Sequence, residues 1–229
     1  MNLDFIAPLS QEGTPAPESP MATVACAHGA VLELRDGWYV PATFPNTGAQ
    51  RQAISETVGF ADASTIRKIE LQIKQGSAHP LWAGLTLGTA TLRGGAQWCP
   101  LTPNRVLVLG TCTELPGGGQ ITTVDVTSQL CALRLEGPLV RKLVAKFCAL
   151  DLRETAAPTG SLRPGSVART PGLVIVEAPQ RLLIMVGAAL AEYLWTVVAD
   201  AAERLGGRAV GCDLLAGEGA ILGTGAANA

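Results

Sequence analysis

The residue types that most often do acid–base or metal chemistry are few in this 229-residue sequence, and they are scattered along it. The six cysteines form no Cys-x-x-Cys pair, and the two histidines, His28 and His79, lie far apart. Because a zinc site needs clustered ligands, the sequence predicts no metal site. Cys131 and Cys148 lie within apolar runs, which predicts buried, reduced thiols in a cytoplasmic protein. A single reactive cysteine is the alternative.

Aromatic side chains are the remaining candidates for binding a planar ligand. Only 4% of the residues are aromatic, but four of them lie near predicted loops: Trp38, Tyr39, Trp82 and Trp98. Such rings could stack on a pterin or a flavin, although we favour the interpretation that they fill the core or a subunit interface. Asp62 and Ser64 in GFADAST, and Asp125 in VDVTS, are predicted to form tight turns and not to catalyse.

Charge and hydropathy narrow the classes of function. The net charge is −2 and no basic run occurs, which argues against nucleic-acid binding through phosphate contacts. The longest apolar run, LLIMVGAAL, is too short to span a bilayer, and no signal peptide is predicted. LPGGG lacks the Lys-Ser/Thr that completes a P-loop. Charged residues make up only 16% of the chain, which is typical of a surface hidden against a partner or of an Ala/Gly/Leu-rich composition.

The first half of the sequence predicts a proline-rich arm followed by strands and one helix. Residues 1–21 carry four prolines, which indicates a flexible arm or an arm that becomes ordered against a partner. Alternating apolar residues predict strands in GAVLELR and RKIELQI, with a turn at Asp36-Gly37. The compact apolar run RVLVLG predicts a buried strand. A helix is predicted from Thr47 to Gly59.

The second half has a clearer pattern. LCALRLE predicts a strand, Gly137-Pro138 a turn, and the following residues a short amphipathic helix with Leu143 on its apolar face. A loop, TAAPTGSLRPGS, then leads to a strand pair, SVARTPGLVIVEA and RLLIMV, and to a helix that ends at Gly206. RAVGCDLL is the last predicted strand. This β-α-β-β-α-β order predicts an α+β, ferredoxin-like unit at 121–220, repeated less cleanly at 22–120, with a tail at 221–229.

Three stretches together resemble a known family. DVTSQLCALRLEGPLVRKLVAKFCALDL, GWYVPATF with ETVGFADASTIRKIEL, and AEYLWTVVADAAERLGGRAVG resemble successive segments of the folate-binding domain of the glycine cleavage T-protein (aminomethyltransferase) superfamily. The resemblance spans roughly residues 28 to 220 and implies that the βαββαβ units form one T-protein-type domain. The chain length, the loop DLRETAAPTGSLRPGSVARTPGLVIVE and the late helix look like one branch, the gamma subunit of heterotetrameric sarcosine oxidase.

The resemblance also implies where a folate site would lie. T-proteins use an Asp in a middle segment, beside the reactive nitrogens of the folate, but the matching stretch here, LTLGTATLRGGAQWCPLTPNRVLVLG, contains no acidic residue. Where the family has a Glu that binds the pterin, this sequence reads ARTPGLVIVEAPQRL, with Glu177 as its one acidic residue. We therefore predict no catalytic residue. The candidate cofactor-binding residues are Trp38, Tyr39, Trp98, Arg169 and Glu177.

Two functions follow from this resemblance. One is a non-catalytic subunit of a sarcosine oxidase-type complex, whose larger subunits are implied to carry the flavins, NAD and the folate site. The other is a stand-alone tetrahydrofolate-binding protein or one-carbon transferase. We favour the first, since the carboxylate is absent and the closing motif, near GCDLLAGEGA, has Cys212 and Ala216 where the family has arginines that would hold the carboxylate tail of folate.

Overall fold

The computed structural model describes residues 16–77, 79–111 and 120–215, which form four α-helices and thirteen strands. The helices are α1 (Ala22–Ala27), α2 (Thr47–Glu56), α3 (Val140–Val144) and α4 (Ala191–Glu203). The strands are β1 (Val31–Arg35), β2 (Trp38–Thr43), β3 (Gly59–Asp62), β4 (Lys68–Ile73), β5 (Thr91–Arg93), β6 (Ala96–Thr102), β7 (Arg105–Leu109), β8 (Ile121–Asp125), β9 (Leu130–Glu136), β10 (Leu162–Val167), β11 (Thr170–Ala178), β12 (Arg181–Gly187) and β13 (Arg208–Ala209).

These strands form two large sheets and one hairpin. The first sheet has the order β10-β11-β12-β9-β3-β13, and the second has the order β5-β6-β7-β4-β8. Every neighbouring pair is antiparallel except β13 and β3, which are parallel. The hairpin pairs β1 with β2 across a turn at Asp36 and Gly37, both of which have positive φ, as the Asp-Gly signal predicts.

Both sheets follow the predicted ferredoxin-like strand order, so the α+β prediction is confirmed. In the first sheet, β11, β12, β9 and β13 lie in the order expected for a βαββαβ unit, with β3 inserted between β9 and β13. In the second sheet, β6, β7, β4 and β8 repeat that order. The predicted boundary near residue 120 falls between β7 and β8. Nevertheless β3 lies in the sheet of the second half, and β8 pairs with β4 of the first.

The core follows from the alternation of side chains along the strands. In β9, Leu133 and Leu135 face the helices, whereas Ala132 faces the second sheet. The helix side is packed by α1, α3 and α4, and Trp195 of α4 is fully buried there. The space between the two sheets is filled mainly by aliphatic residues from both, such as Leu107 of β7. Helices therefore cover one face of the first sheet, as predicted.

The turn before α3 requires glycine. Gly137 has a φ of 138°, and a Cβ built on it would lie 2.5 Å from the carbonyl oxygen of Thr57. The predicted apolar stripe of α3 is confirmed, because Val140, Leu143 and Val144 are all buried. The helix is only five residues long, since the chain soon turns so that Cys148 can pair with Val167.

One strand prediction is wrong, and the last predicted strand, RAVGCDLL, is too long, since only Arg208–Ala209 form a strand and Cys212–Leu215 form a 3-10 helix. The stretch predicted as a loop and then a single strand contains two strands, β10 and β11, joined by a hairpin turn at Ala168 and Arg169. Both turn residues have positive φ, 48° and 62°, a conformation that glycine and asparagine favour and that alanine and arginine do not signal. The predicted helix from Thr47 also ends early, at Glu56, because Gly59–Asp62 form β3.

The end of the proline-rich arm belongs to the fold. The backbone N–H of Ser19 donates to the carbonyl of Tyr39 at 2.9 Å, and the N–H of Tyr39 donates to the carbonyl of Pro17 at 2.9 Å. Met21 is completely buried. Residues 16–21 thus lie along β2, while residues 1–15, the LPGGG stretch and the predicted tail lie outside the described residues.

Candidate functional site

The five predicted binding residues lie in four separate places. Trp38 and Tyr39 begin β2, and Trp98 lies in β6 on the outer face of the second sheet. Arg169 is exposed in the β10–β11 turn, and Glu177 lies near the other end of β11. Arg169 and Glu177 are eight positions apart along an extended strand, which corresponds to about 27 Å.

Trp98 is surrounded by core residues and by one cation. It is 2% exposed, and its indole Nε1 donates to the carbonyl of Arg93 at 3.3 Å. The guanidinium carbon of Arg93 lies 5.4 Å from the centroid of the indole ring, within the range of a cation–π contact. Arg93 is itself held by the carbonyls of Leu81 and Ala83, at 2.8 and 2.7 Å. The packing, hydrogen-bond and cation–π partners of the Trp98 indole are therefore residues of the chain itself.

Tyr39 belongs to an exposed apolar face of the hairpin. It is 41% exposed and pairs in register with Leu34, which is 44% exposed. Val31, at the start of β1, is 57% exposed. Trp38 is half-buried and pairs with Arg35 at the turn.

Glu177 is engaged in a buried ion pair between the two sheets. Nε and a terminal nitrogen of Arg134 donate to its two carboxylate oxygens at 2.8 and 2.9 Å, and the two side chains are 5% and 8% exposed, respectively. A second pair, Arg181 with Glu136, lies beside it on the same face of the sheet at 2.8 Å. Both oxygens of this carboxylate therefore already accept a hydrogen bond from the guanidinium.

The two segments that the resemblance assigns to a folate site meet at this ion pair. Cys99 of β6 faces the same space between the sheets, where burial, and secondarily the charge of Glu177, raise the pKa of its thiol. The protonated thiol of Cys99 and the Arg134–Glu177 ion pair therefore share this space between the sheets. Sequence reasoning missed Arg134, although an arginine inside the apolar run LCALRLE is itself a signal of a buried partner.

A second buried polar cluster surrounds Asp62 and Lys68. The N–H of Ser64 donates to Asp62 Oδ1 at 2.8 Å, which confirms the predicted turn, and the hydroxyl of Ser19 donates to the other carboxylate oxygen. Lys68 is fully buried, and its Nζ donates to the carbonyls of Ser64 and Ile66 at 2.6 and 2.9 Å. Burial lowers the pKa of Lys68 to about 8 and raises the pKa of Asp62. The cluster joins the arm to the core.

The turn at Asp125 is also confirmed, since its Oδ1 accepts the N–H of Thr127 at 2.8 Å. Five cysteines lie among the described residues, and none of them forms a disulfide. Burial raises the pKa of Cys131 to about 11 and of Cys212 to about 12, so both thiols stay protonated at neutral pH. Within the described ranges, no group of three or more His, Cys, Asp or Glu residues is placed to hold a metal ion. No helix described here is long and apolar enough to cross a membrane.

A surface cleft of about 530 Å³ lies between α4, β13 and the loop that joins β2 to α2. Aromatic and polar side chains share its lining, which includes His28, Phe44, Asn46, Phe60, Asp200, Glu203 and Arg208. Asn46 caps α2 by accepting the N–H of Ala49 at 3.1 Å, and its φ of 59° shapes the loop. None of the five predicted binding residues lines this cleft.

Comparison with known proteins identifies the fold. Heterotetrameric sarcosine oxidase from Corynebacterium sp. U-96, solved with pyrrole 2-carboxylate, contains a chain that matches with a TM-score of 0.61 and 20% identity, over 82% of this chain and 95% of that one. Aminomethyltransferase T of the glycine cleavage system from Bartonella henselae matches with a TM-score of 0.66 and 14% identity, over 86% of this chain and 60% of that one. No family model and no curated protein matches.

These matches confirm the T-protein-type fold predicted from the sequence. The chain spans about 60% of the aminomethyltransferase but 95% of the sarcosine oxidase chain. Since 82% of 229 residues covers 95% of that chain, the matched sarcosine oxidase chain is about 200 residues long. At these identities the likeness concerns the fold.

Proposed function

We propose that this protein is a non-catalytic, T-protein-like subunit of a sarcosine oxidase-type complex, comparable to a gamma subunit, and that larger subunits carry the redox chemistry. The observation that carries the proposal is the bidentate pair between Arg134 and Glu177 beside Cys99, because the one acidic residue of the segment that the resemblance matches to the pterin-binding stretch is already bound by an arginine of the same chain. Because Arg134 already occupies Glu177, this carboxylate is used to join the strands of the fold, which fits a structural subunit.

Two further observations support the proposal. The chain covers 95% of the matched chain of a heterotetrameric enzyme, against 60% of the aminomethyltransferase. The hairpin also exposes Leu34 and Tyr39 as a cross-strand pair, and exposed apolar surface of this kind is typical of contact with another protein. The free thiols of the described residues support a cytoplasmic location for the complex.

The first experiment is a titration of the purified chain with tetrahydrofolate, followed by calorimetry and by tryptophan fluorescence. We expect neither saturable heat nor quenching. Saturable binding that Glu177→Gln weakens would favour a tetrahydrofolate carrier or a one-carbon transferase instead. Glu154→Gln, at an exposed position, is the matched control and leaves any binding unchanged.

The second experiment tests the partner. The tagged chain is purified from its native host at low salt, and the visible absorbance of bound flavin is measured before and after addition of sarcosine without oxygen. We expect flavin to co-purify and to be bleached by sarcosine, since the amine is oxidised as the flavin is reduced. A chain that purifies alone, or with a flavin that sarcosine does not reduce, contradicts the proposal.

A further inference from the structure

Strand β1 has one edge that no backbone group of the described residues covers. The partner strand β2 fixes its orientation, because the N–H and the carbonyl of Tyr39 pair with Pro17 and Ser19 of the arm and so point away from β1. Leu34 lies opposite Tyr39 in the register, and these two residues therefore exchange no backbone hydrogen bonds with each other. The N–H and the carbonyl of Leu34 must point away from β2, towards the outer edge of the hairpin.

Leu32 has the same orientation as Leu34. It lies two positions earlier in the strand, opposite Pro41, which has no N–H to share. Among the described residues, neither leucine has a backbone partner on the outer side. The carbonyl of Leu34 accepts one bond from the side chain of Arg35 at 3.2 Å and keeps a second lone pair. An accessible edge of this kind can pair with another strand.

The outer edge of β10, in the first sheet, is covered or blocked along its length. The N–H of Leu162 donates to the carbonyl of Gly88 at 2.8 Å at one end, and Cys148 pairs with Val167 at the other. Pro164, which lies between them, has no N–H to offer. Strand β1 contains no proline, so its edge lacks this protection.

The sequence of β1 is complementary to itself when two copies pair antiparallel around a two-fold axis at Leu34. Leu34 and its copy then exchange two backbone hydrogen bonds, because the groups of both point outward. In this register Glu33 lies opposite Arg35 of the second copy, so two pairs of opposite charge flank the axis. Sliding the strands by two residues, the smallest shift that keeps the backbone groups facing, would place Glu33 or Arg35 opposite itself, where like charges repel.

The side chains that this pairing uses are accessible. Glu33 and Arg35 are 39% and 41% exposed, and they already form an ion pair at 2.7 Å within the strand. On the other face of the hairpin, Leu34 and Tyr39 are exposed side by side. The two-fold axis would place this apolar pair next to its copy, so that four apolar side chains form one row across the paired hairpins.

We propose that the outer edge of β1 is a docking edge for a second copy of this chain, with which it forms an antiparallel strand pair centred on Leu34. The overlap is only five residues of each strand, 32–36, so the interface is small and we expect a weak dimer. The inference narrows the partner of this exposed surface to a copy of the chain. It does not require the larger subunits, so it can fail while the proposed function stands, and the reverse.

The test is sedimentation equilibrium of the purified full chain between about 1 μM and 1 mM, where we expect a reversible monomer–dimer equilibrium. Glu33→Lys leaves only positive charge at the two flanking positions, and Arg35→Glu leaves only negative charge. Each variant alone should dimerise at least about tenfold more weakly than the wild type. An equimolar mixture of the two should pair about as tightly as the wild type, because each charge then meets its opposite on the other chain.

The remaining variants test the axis and provide controls. Leu34→Lys places two ammonium groups at the axis and should weaken dimerisation at least about tenfold. Leu92→Lys changes a leucine of β5 that is 72% exposed, and it should have no effect. Asp213→Asn removes the other carboxylate that pairs with Arg35, and it should also leave the dimer unchanged. Circular dichroism and thermal melting show first that each variant is folded.

Hydrogen exchange of the Leu34 amide, followed by nuclear magnetic resonance, reports directly on the edge. We expect fast exchange in dilute protein and slower exchange as the concentration rises into the range of the dimer. Slow exchange already at high dilution would show that another segment of the same chain covers the edge, and it would overturn the proposal. A chain that stays monomeric up to 1 mM, or charge variants that do not pair when mixed, would also refute it.

Discussion

Breaking the Arg134–Glu177 pair should be among the most destabilising single changes available on the strands. Replacing Arg134 with Met keeps the side chain long and apolar but leaves the Glu177 carboxylate 8% exposed and without its two donors. Removal of one partner from a buried pair typically costs about 3–5 kcal/mol. For a chain of this size, that loss corresponds to a decrease in melting temperature of about 6–20 °C.

The assay is a double-mutant cycle measured by urea unfolding, with Arg134→Met, Glu177→Gln and the combined variant. Since the combined variant removes both the charge and its partner, it should be considerably more stable than the sum of the single losses implies. Arg153→Met is the control. It breaks the ion pair between Arg153 and Asp151, in which the Arg153 side chain is 81% exposed, and it should cause no measurable change in stability. A loss below about 1 kcal/mol for Arg134→Met would refute the claim that Glu177 depends on this arginine.

Three more predictions concern stability and reactivity. Because burial lowers the pKa of Lys68 from 10.5 to about 8, the unfolded chain binds more protons than the folded one between these pH values. As the pH rises from about 8 to 10.5, Lys68 should therefore increase the free energy of unfolding by up to about 3 kcal/mol. Urea unfolding of the wild type at these two pH values should show this increase, and Lys68→Met should not. Leu143→Ala should cost about 2–5 kcal/mol in the same assay, because its side chain is fully buried against the first sheet; a loss under about 1 kcal/mol would contradict that packing. Iodoacetamide at neutral pH should label Cys26, which is exposed, well before Cys131, as read peptide by peptide in a mass spectrometer. Equal labelling of the two would show that Cys131 is not buried.

The parts of the fold predicted from the sequence are those that local patterns determine. The alternation of Ile69, Leu71 and Ile73 predicted β4, and these three residues do share one buried face. The Asp-x-Ser spacing at Asp62 predicted a turn, because the side chain of an aspartate can accept the N–H two residues on. Both features depend on residues close together in the chain.

The features that were missed depend on residues far apart. GFAD is too short to predict as a strand, and its place between β9 and β13 depends on neighbours more than 70 residues away along the chain. The same holds for the candidate site, since the Arg134–Glu177 pair joins residues 43 positions apart. The turn at Ala168 and Arg169 was missed for a local reason, because its residue types do not indicate positive φ.

The exchange of strands between the two halves has a consequence for how the chain must fold. Gly59 pairs with Arg208 across nearly 150 residues, so the first sheet closes only after almost the whole described chain is present. A fragment ending near residue 120 would carry β3 with both of its edges unpaired, and the complementary fragment would carry β8 without β4. The two fragments therefore need each other to complete either sheet. During synthesis the first half must wait, with an exposed strand, until residues of the second half have left the ribosome.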